Sequence, residues 1–154
     1  MYKRQTIHAS RNVPISLLPR LKKKLDEMEK LGVISKVEGP SEWVSSLVIV
    51  EKKDGSLRMC LDPKDLNKAI IRDIHKAPSI ERISSTLNGC KVFSVIDLSS
   101  CFWQKKLTEE SANLCVFNTP FGRRRFNRLP FGISCASDVS QQMVDENFSG
   151  IPRT

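Results

Sequence analysis

The residues of this chain that could do chemistry are one aspartate and several groups of cations. Asp97 closes an apolar run at residues 92–96. Aspartate is unfavourable inside a strand but suits its end, where functional side chains collect, although a lone aspartate there is more often a turn or helix-capping residue. Lys53 and Arg58 lie at a turn, and residues 123–125 are consecutive arginines. A carboxylate can bind a divalent cation, and lysine and arginine can bind phosphate groups.

The overall charge favours a polyanionic partner. Lysine and arginine outnumber aspartate and glutamate by 25 to 17 in the 154 residues, and the pI is near 9.4. Nucleic acid is the commonest such partner, because each phosphate that a cation neutralises releases a counterion and the binding gains entropy. A basic surface that is merely solvated stays an alternative. With 40% hydrophobic residues, the chain is long enough to bury one core.

Cysteine usage argues against a zinc site and against a disulfide framework. The five cysteines are irregularly spaced without a C-x-x-C pair, and the chain has 2 histidines. The cysteines are predicted to be small buried hydrophobes in a reducing compartment. No apolar run approaches the ~20 residues of a membrane span, and the N-terminus lacks the apolar core of a signal peptide. We therefore expect an intracellular, soluble chain without a membrane partner.

Periodicity predicts a mixed α+β fold without a clean domain break. An amphipathic helix over residues 16–31 carries lysines on its outer face and ends at Gly32. A hairpin joins the runs 44–52 and 57–61 through Lys-Asp-Gly-Ser, in which Asp-Gly supplies the positive φ angles. The other predicted elements are helices at 62–68, 79–87 and 136–148, a strand at 92–96, and a strand pair at 114–118 and 123–129.

Four stretches, in this order, resemble one family of polymerases. They are WVSSLVIVEKKDGSLR at 43–58 running on to LDPKDLNK at 61–68, VFSVIDLSSCFWQ at 92–104, FNTPFG at 117–122 and RLPFGI at 128–133. The family is the reverse transcriptase, or RNA-directed DNA polymerase, of gypsy-type long-terminal-repeat retrotransposons. The order and the spacing of the stretches are similar to those of the family, and the resemblance covers nearly all of residues 6–152.

The resemblance implies part of a right-hand polymerase. Residues 6–73 would form the fingers, 74–104 the palm with the first catalytic motif, 105–135 a return to the fingers, and 136–154 the start of a second palm segment. The antiparallel palm sheet would be incomplete, with helices packed on one face.

The resemblance also implies the chemistry, which is nucleotidyl transfer with two Mg²⁺ ions. One ion would activate the primer 3′-hydroxyl and the other would hold the triphosphate, with carboxylates bridging them. Asp97 would be the first of these carboxylates, and the backbone carbonyl of Leu98 would touch the triphosphate-side ion. Phe102 would exclude ribonucleotides by a clash with the ribose 2′-hydroxyl. On residue type alone, Phe102 would be a core phenylalanine.

Further residues would bind the nucleotide and the template if the resemblance holds. Arg58 and either Lys53 or the neighbouring Lys52 would clamp the triphosphate, since the planar donors of arginine match phosphate. On residue type alone, these cations would protect a sheet edge. The other implied nucleotide contacts are Ser100 and Cys101, through their backbone amides, and Phe131; the implied template contacts are Gly132 and Arg125. Strand alternation places Arg123 and Arg125 on one face and Arg124 on the other.

The chain departs from the family at several positions. Cys101 replaces a usual glycine, which leaves the local backbone angle open. Ser137 and Ser140 stand where the family has a proline and a phenylalanine, and an aromatic residue is usual near Arg124. Ser140 would place a hydroxyl on the core side of the last helix, at a cost of about 1–3 kcal/mol if it is unpaired. A decayed, non-functional copy is therefore an alternative interpretation.

The two ends of the chain carry expectations of their own. Residues 1–5 resemble a translated sequencing adapter, and residues 148–154 resemble a truncated loop. In the family, a second motif with two aspartates on a hairpin follows a segment like that at 150–152. One carboxylate cannot assemble a two-metal site, so the isolated chain is predicted to lack polymerase activity. With the edge of the strand at 92–96 uncovered, it is also predicted to be poorly soluble.

Two functions remain open from the sequence. The first is a fragment of an RNA-directed DNA polymerase, whose partners would be an RNA or DNA template–primer duplex, dNTP, Mg²⁺, and the protease, RNase H and integrase regions of the same polyprotein. The second is a non-catalytic nucleic-acid-binding remnant of a decayed retrotransposon. An element of this family would act in cytoplasmic particles.

Overall fold

The computed structural model describes residues 6–75 and 77–151, so the predicted adapter remnant at 1–5 and the segment 152–154 lie outside the described residues. The helices are α1 Leu18–Lys30, α2 Lys64–Ala69, α3 Ile80–Leu87, α4 Glu109–Leu114 and α5 Ala136–Phe148. The strands are β1 Thr6–Ile7, β2 Ile34–Lys36, β3 Trp43–Val44, β4 Ser46–Glu51, β5 Leu57–Asp62, β6 Val116–Thr119 and β7 Gly122–Phe126. Short 3-10 turns lie at Ile15–Leu17 and Cys101–Gln104. These elements confirm a mixed α+β fold.

Helix α1 forms because its apolar residues recur on one face. Leu21, Leu25 and Met28 are fully buried, whereas Lys23 between them is exposed. Gly32, with a φ of 67°, adopts the left-handed conformation that commonly ends a helix. The predicted amphipathic helix with a basic outer face is therefore confirmed.

Three small sheets lie beside this helix. Strands β4 and β5 form the predicted antiparallel hairpin. A second sheet has the order β2-β7-β6 and is antiparallel throughout. Strand β1 pairs in parallel with β3. A parallel bridge between Ser45 and Phe117 connects this region to β6, so the sheets form one continuous body.

The core lies where α1 packs against β2 and β5. Phe117 of β6 and Phe126 of β7 are fully buried at its centre, with ring centroids 4.9 Å apart. Phe117 and Phe126 belong to the same core cluster as the buried residues of α1, so the predicted strand pair and the predicted helix share one core.

Arg124 is buried beside this core with 2% of its surface exposed. Its guanidinium donates to the Phe121 carbonyl at 3.1 Å and lies 3.6 Å from a carboxylate oxygen of Glu29. A buried charge requires such partners. Arg123 and Arg125 stay partly exposed, which confirms the predicted alternation of the basic run.

The predicted strand at residues 92–96 is wrong. The chain there has no regular secondary structure, and its four apolar side chains are 60–95% exposed. A strand needs a hydrogen-bonded neighbour, and no strand within residues 6–75 and 77–151 pairs with this segment. High β-propensity alone does not make a strand, so the described part of the predicted palm contains helices and extended chain but no sheet.

Helix α4 replaces the predicted start of the next strand. Leu114, predicted in a strand, ends α4, and β6 begins only at Val116. Thr108 caps the helix by accepting a hydrogen bond from the Ser111 amide at 3.3 Å. The capping residue decides the structure here because the helix is too short to show an apolar period.

Two ion pairs hold the connection between α2 and α3 on helix α5. Arg72 donates to one carboxylate oxygen of Asp138 at 2.8 and 3.2 Å. His75 Nε2 lies 2.6 Å from a carboxylate oxygen of Asp145. Ile71 in the same connection is 96% exposed, so apolar burial adds little to the attachment. The connection therefore docks mainly through electrostatic contacts.

Removing the charge of Arg72 should weaken this attachment. In Arg72→Met, the Asp138 carboxylate, which is 9% exposed, loses its donor, and the free energy of unfolding should fall by about 1–3 kcal/mol. Arg82→Met is the matched control, because Arg82 is exposed and its side chain makes no ion pair within the described residues. Urea unfolding measures both variants, and equal losses would contradict the role given to Arg72.

The five cysteines are free, as predicted, but they differ in burial. Only Cys115 among them is buried, and burial raises its pKa to about 12, which keeps the thiol protonated and unreactive. The other four are half-buried, so the prediction of buried hydrophobes holds only for Cys115. Within the described ranges 6–75 and 77–151, no helix is both long and apolar enough to cross a bilayer.

Candidate active site

Three predicted nucleotide-contact residues come together although they are far apart in the sequence. The ring centroids of Phe102 and Phe131 lie 4.8 Å apart, with the ring planes at 50°. The guanidinium carbon of Arg58 lies 5.4 Å from the centroid of the Phe131 ring. Both distances are favourable for ring pairing and for a cation–π contact. These three residues are called the Arg58–Phe131–Phe102 cluster below.

Strand β5 sets the direction of Arg58. Its neighbours Leu57 and Met59 are buried in the core, so strand alternation projects Arg58 to the opposite, exposed face. The Phe131 ring lies beneath its guanidinium and limits the conformations of this long side chain. The donors of Arg58 are therefore presented to solvent from a restrained position.

The backbone of β5 also fixes Phe131. The Leu61 amide donates to the Phe131 carbonyl at 2.8 Å. Gly132 has a φ of 107°, and a Cβ at this position would lie 1.9 Å from the Leu61 carbonyl oxygen. Only glycine satisfies both conditions. The close backbone approach at Gly132 is therefore an approach to β5, and the role of Gly132 toward a template stays a prediction.

Asn67 of α2 fastens the other side of the turn that carries Phe131. Its Nδ2 donates to the Gly132 carbonyl and its Oδ1 accepts from the Ser134 amide, both at 2.9 Å. Asn67 was not among the predicted site residues. The sequence signal that could have identified Asn67 is its place inside helix α2, because asparagine is unfavourable within a helix unless its side-chain amide makes hydrogen bonds.

Substitution of Gly132 should separate backbone strain from steric exclusion. Gly132→Ala combines the positive φ with a clash against Leu61 and should cost about 3 kcal/mol or more of unfolding free energy. Gly39→Ala is the matched control, because Gly39 has a φ of 96° but no heavy atom lies within 4 Å of the position that its Cβ would take. Chemical denaturation should show a clearly larger loss for Gly132→Ala. A loss no larger than that of Gly39→Ala would show that β5 does not constrain this turn.

The hairpin tip presents Lys52 and Lys53 in solvent. The Ser56 hydroxyl and amide both donate to Asp54, at 2.7 and 2.8 Å, and these bonds hold the pKa of Asp54 below its ordinary value, with a smaller contribution from the charge of Lys52. Within the described residues, neither lysine side chain makes an ion pair. The backbone of Lys52 bonds with Ser56 and Gly55 at 2.9 Å, whereas Lys53 lies in the turn beyond these bonds.

The turn at the tip needs one positive φ angle and not the two that were predicted. Gly55 has a φ of 77°, whereas Asp54 stays at negative φ. A hairpin loop longer than two residues requires only one left-handed residue. Arg20 of α1 pairs with Glu51 at 2.7 Å and donates to the Gly55 carbonyl, so the tip is tied to the helix.

Asp97 lies in a separate cleft of about 470 Å³, with its side chain exposed. The cleft is bounded on one side by α5 and on the other by the chain around Asp97; it is lined by Ser94, Ile96, Asp97, Leu98, Cys101, Val144 and Phe148. Cys101 precedes Phe102, so the cleft and the Arg58–Phe131–Phe102 cluster are joined through the turn at residues 99–104.

The described residues do not by themselves form a metal centre. A divalent cation needs several oxygen ligands, and a two-metal centre needs more than one carboxylate. Within residues 6–75 and 77–151, no group of three or more histidine, cysteine, aspartate or glutamate side chains could hold a metal ion. Asp97 and the Leu98 carbonyl are thus part of a ligand set at most.

In the turn at residues 99–104, the left-handed backbone conformation occurs at Ser100. Cys101, which replaces the family's usual glycine, does not adopt it. Ser100 has a φ of 52° and is the non-glycine residue with positive φ among those described. The Trp103 amide donates to the Ser100 carbonyl at 2.8 Å, and the Gln104 side chain donates to the Ser99 carbonyl at 3.1 Å. Cys101 in place of glycine therefore adds no strain of this kind at its own position.

Glycine at position 100 should relieve the left-handed strain. Ser100→Gly is expected to stabilise the chain by about 1 kcal/mol, since an L-residue in this conformation costs about 1–2 kcal/mol and glycine loses part of that gain through backbone entropy. Ser99→Gly is the control, because Ser99 has no positive φ and should lose stability. Thermal unfolding of the two variants should give shifts of opposite sign; a loss in both would contradict the strain at Ser100.

Arg125, predicted as a template contact, is engaged within the chain. It lies in β7, and one of its terminal nitrogens is 2.5 Å from a carboxylate oxygen of Glu109 and 2.6 Å from the side-chain oxygen of Asn113. Its Nε donates to the Ser35 hydroxyl at 3.3 Å. Arg125 thus joins α4 to the β2-β7-β6 sheet, and its role toward a template stays a prediction.

Residues 50–154 match the family model described as reverse transcriptase (RNA-dependent DNA polymerase). The chain belongs to the reverse transcriptase family. The enzymatic polyprotein of Cauliflower mosaic virus (strain CM-1841) is 35% identical over 128 residues, which cover 82% of this chain and 19% of that protein. The retrovirus-related Pol polyprotein from transposon 412 of Drosophila melanogaster is 37% identical over 117 residues, which cover 72% of this chain and 10% of that protein.

A solved structure shows the same fold in another reverse transcriptase. The foamy viral protease-reverse transcriptase in complex with dsDNA is 25% identical, with a TM-score of 0.79 over 95% of this chain and 30% of that chain. The predicted fold, fingers and part of the palm of a right-hand polymerase, is confirmed. This reverse transcriptase chain spans less than a third of each of these proteins. The boundaries at residues 73, 104 and 135 stay predictions.

Proposed function

We propose that this chain forms the fingers and the first part of the palm of an RNA-directed DNA polymerase, in which the Arg58–Phe131–Phe102 cluster binds the incoming dNTP. The observation that carries the proposal is the convergence of three residues from separate sequence blocks on one surface. The backbone contacts of β5 with the turn at residue 132 hold this surface in place. A preorganised cation beside two aromatic rings suits a ligand with a phosphate group and a sugar.

Arg58 and Lys53 would bind the triphosphate. Both lie on the β4–β5 hairpin, Arg58 on a strand and Lys53 at the tip. The guanidinium of Arg58 offers planar donors that match phosphate oxygens. We assign the second cation to Lys53 and not to Lys52, because Lys53 lies in the turn at the tip, beyond the backbone bonds of Lys52 with Ser56 and Gly55.

The turn at residues 99–104 would bind the sugar and the phosphates. Phe102 is half-buried, so its ring has one side against Phe131 and part of its surface accessible for contact with a ribose. Within the described residues, the amides of Ser100 and Cys101 donate to no other backbone group, so both can donate to phosphate oxygens. A ring fixed in this way would exclude a 2′-hydroxyl by contact.

Reverse transcriptases as a family use divalent metal ions. Asp97 and the Leu98 carbonyl would be the contribution of this chain to such a centre, and Mg²⁺ is the proposed ion. The other carboxylates would come from residues outside those that the structure describes. The described residues supply one exposed carboxylate, that of Asp97, close in sequence to the turn that carries Phe102.

A template–primer duplex of RNA or DNA is the proposed macromolecular partner. The foamy viral enzyme of similar fold has been solved in complex with dsDNA, and the net charge of +8 on this chain favours a polyanion. Gly132 and Arg125 remain the proposed template contacts. We further propose that the chain derives from a gypsy-type polyprotein that also contains protease, RNase H and integrase regions and acts in cytoplasmic particles.

Loss of the Arg58 guanidinium should weaken triphosphate binding. Arg58→Ala is expected to raise the Kd of a fluorescent dATP analogue about 10-fold or more, because a charge-assisted hydrogen bond is removed. Lys53→Ala should raise the Kd more than Lys52→Ala. Fluorescence anisotropy at low ionic strength measures all of these binding constants.

Lys30→Ala is the matched control for this experiment. It removes one positive charge from an exposed position on α1 and should change the Kd less than twofold, since a general field effect is screened by salt. Saturable binding by the unaltered chain that is insensitive to Arg58→Ala would contradict the proposed nucleotide contact. Equal effects of Lys30→Ala and Arg58→Ala on the Kd would show that binding depends on the overall charge of the chain and not on the position of Arg58.

A non-catalytic nucleic-acid-binding remnant is the second candidate function, and the net charge of +8, which requires no catalytic centre, supports it. A longer reading frame that includes the following codons separates the candidates. There, Asp97→Asn should abolish dNTP incorporation and leave duplex binding nearly unchanged, and Phe102→Ala should admit ribonucleotides. Normal incorporation by the Asp97→Asn polymerase would exclude the role proposed for Asp97.

A further inference from the structure

The turn at residues 99–104 meets helix α5 through a polar side-chain contact. Cys101 Sγ lies 2.8 Å from Ser140 Oγ, and either atom can be the donor. Ser140 is 7% exposed, so its hydroxyl would otherwise be buried without a partner. Cys101 belongs to the turn and lines the Asp97 cleft, whereas Ser140 belongs to helix α5.

We propose that Cys101 and Ser140 form a latch that positions the turn at residues 99–104, which carries Phe102 and follows Asp97 closely in the sequence, on helix α5. Both are then positioning residues of the site described under the proposed function, and their importance for catalysis rests on that proposal. The physical contact, and its effect on the turn, can be tested without nucleotide or metal.

The surroundings of the turn give the latch its importance. Residues 90–98, which lead into the turn, belong to no helix or strand, so no backbone ladder within the described residues fixes the turn from that side. On the other side, the backbone of Lys105 and Leu107 bonds with residues 127–129, and the turn itself is attached by side-chain contacts. Phe102 pairs with Phe131 on the fingers side, and Cys101 contacts Ser140 on the α5 side. Loss of the Cys101–Ser140 contact would allow the turn to move relative to α5, and loss of the Phe102–Phe131 contact would allow it to move relative to the fingers.

Helix periodicity connects the latch with the Asp97 cleft. Ser140, Val144 and Phe148 follow one another at intervals of four residues, which places them on one face of α5. Val144 and Phe148 line the cleft together with Cys101 and Asp97. The latch is therefore the first contact of the same helix face that forms one wall of the cleft.

The strain at Ser100 points to the same conclusion. A left-handed non-glycine residue persists only where its surroundings determine the conformation more strongly than the local preference opposes it. Ser100 immediately precedes Cys101. The contact with Ser140 and the ring pair at Phe102 are the tertiary contacts next to Ser100 that can supply this constraint.

Amide hydrogen exchange of the turn tests the latch. Cys101→Ala and Ser140→Ala should each increase the local opening of residues 98–105 about 2- to 10-fold, the range expected for one hydrogen bond. The double variant should open no more than the more affected single variant, because both substitutions remove the same contact. Cys101→Ser should restore the protection, since a hydroxyl can hydrogen-bond with Ser140.

Ser137→Ala is the matched control, because Ser137 is an exposed serine on the same helix and should leave the turn unchanged. Three results would each overturn the latch: wild-type exchange in both single variants, additive effects in the double variant, or an effect of Ser137→Ala equal to that of Ser140→Ala. If Ser140→Ala does not fold, the comparison of Cys101→Ala with Cys101→Ser decides, because Cys101 is only half-buried.

The outcome is distinguishable from failure of the proposed function. A turn that opens as expected, together with triphosphate binding that is insensitive to Arg58→Ala, would retain the latch and reject the nucleotide site. A turn that does not respond, together with Arg58-dependent triphosphate binding, would retain the nucleotide site and reject the latch.

Discussion

The approach of strand β5 to the turn at Phe131 and Gly132 is the constraint on which the candidate site depends. The Leu61 amide bonds to the Phe131 carbonyl, and the Leu61 carbonyl occupies the space that a side chain at Gly132 would need. This contact joins two segments from opposite halves of the chain. Since Arg58 lies on β5 and Phe131 on the turn, the backbone fixes their separation before any side chain is considered.

The two halves of the fold are stabilised by different interactions. The fingers segments bury α1 against packed strands, with several side chains that have no exposed surface. Helix α3 has no buried residue, and the connection before it is attached to α5 through Arg72 and His75. The exposed His75–Asp145 pair contributes little compared with apolar burial, and the Arg72–Asp138 pair anchors only the start of the connection, so the region from residue 70 to residue 98 should open locally more readily than the fingers.

The sequence predicts those elements whose signals are local. Helix α1 follows from apolar periodicity, and the β4–β5 hairpin follows from its turn residues. The strand at 92–96 is wrong because a strand depends on a neighbour that the segment's own residues do not specify. For the site, residue types alone leave Arg58, Phe102 and Phe131 ambiguous, and the resemblance to reverse transcriptases singles them out. Neither the residue types nor the resemblance singled out Asn67, whose role in holding the turn at Gly132 arises from tertiary contacts.

The tertiary contacts at positions where the chain departs from the family bear on whether it is a decayed copy. Two of its departures from the family, Cys101 and Ser140, meet at 2.8 Å, so the Ser140 hydroxyl on the core side of the helix has a partner. Ser137 is exposed, where loss of a proline costs little packing. The terminal nitrogens of the buried Arg124 are paired with Glu29 and the Phe121 carbonyl, but its Nε has no hydrogen-bond partner within the described residues. Cys101, Ser137 and Ser140 are therefore accommodated and argue less for decay than their number alone implies, whereas the buried arginine keeps one unsatisfied donor.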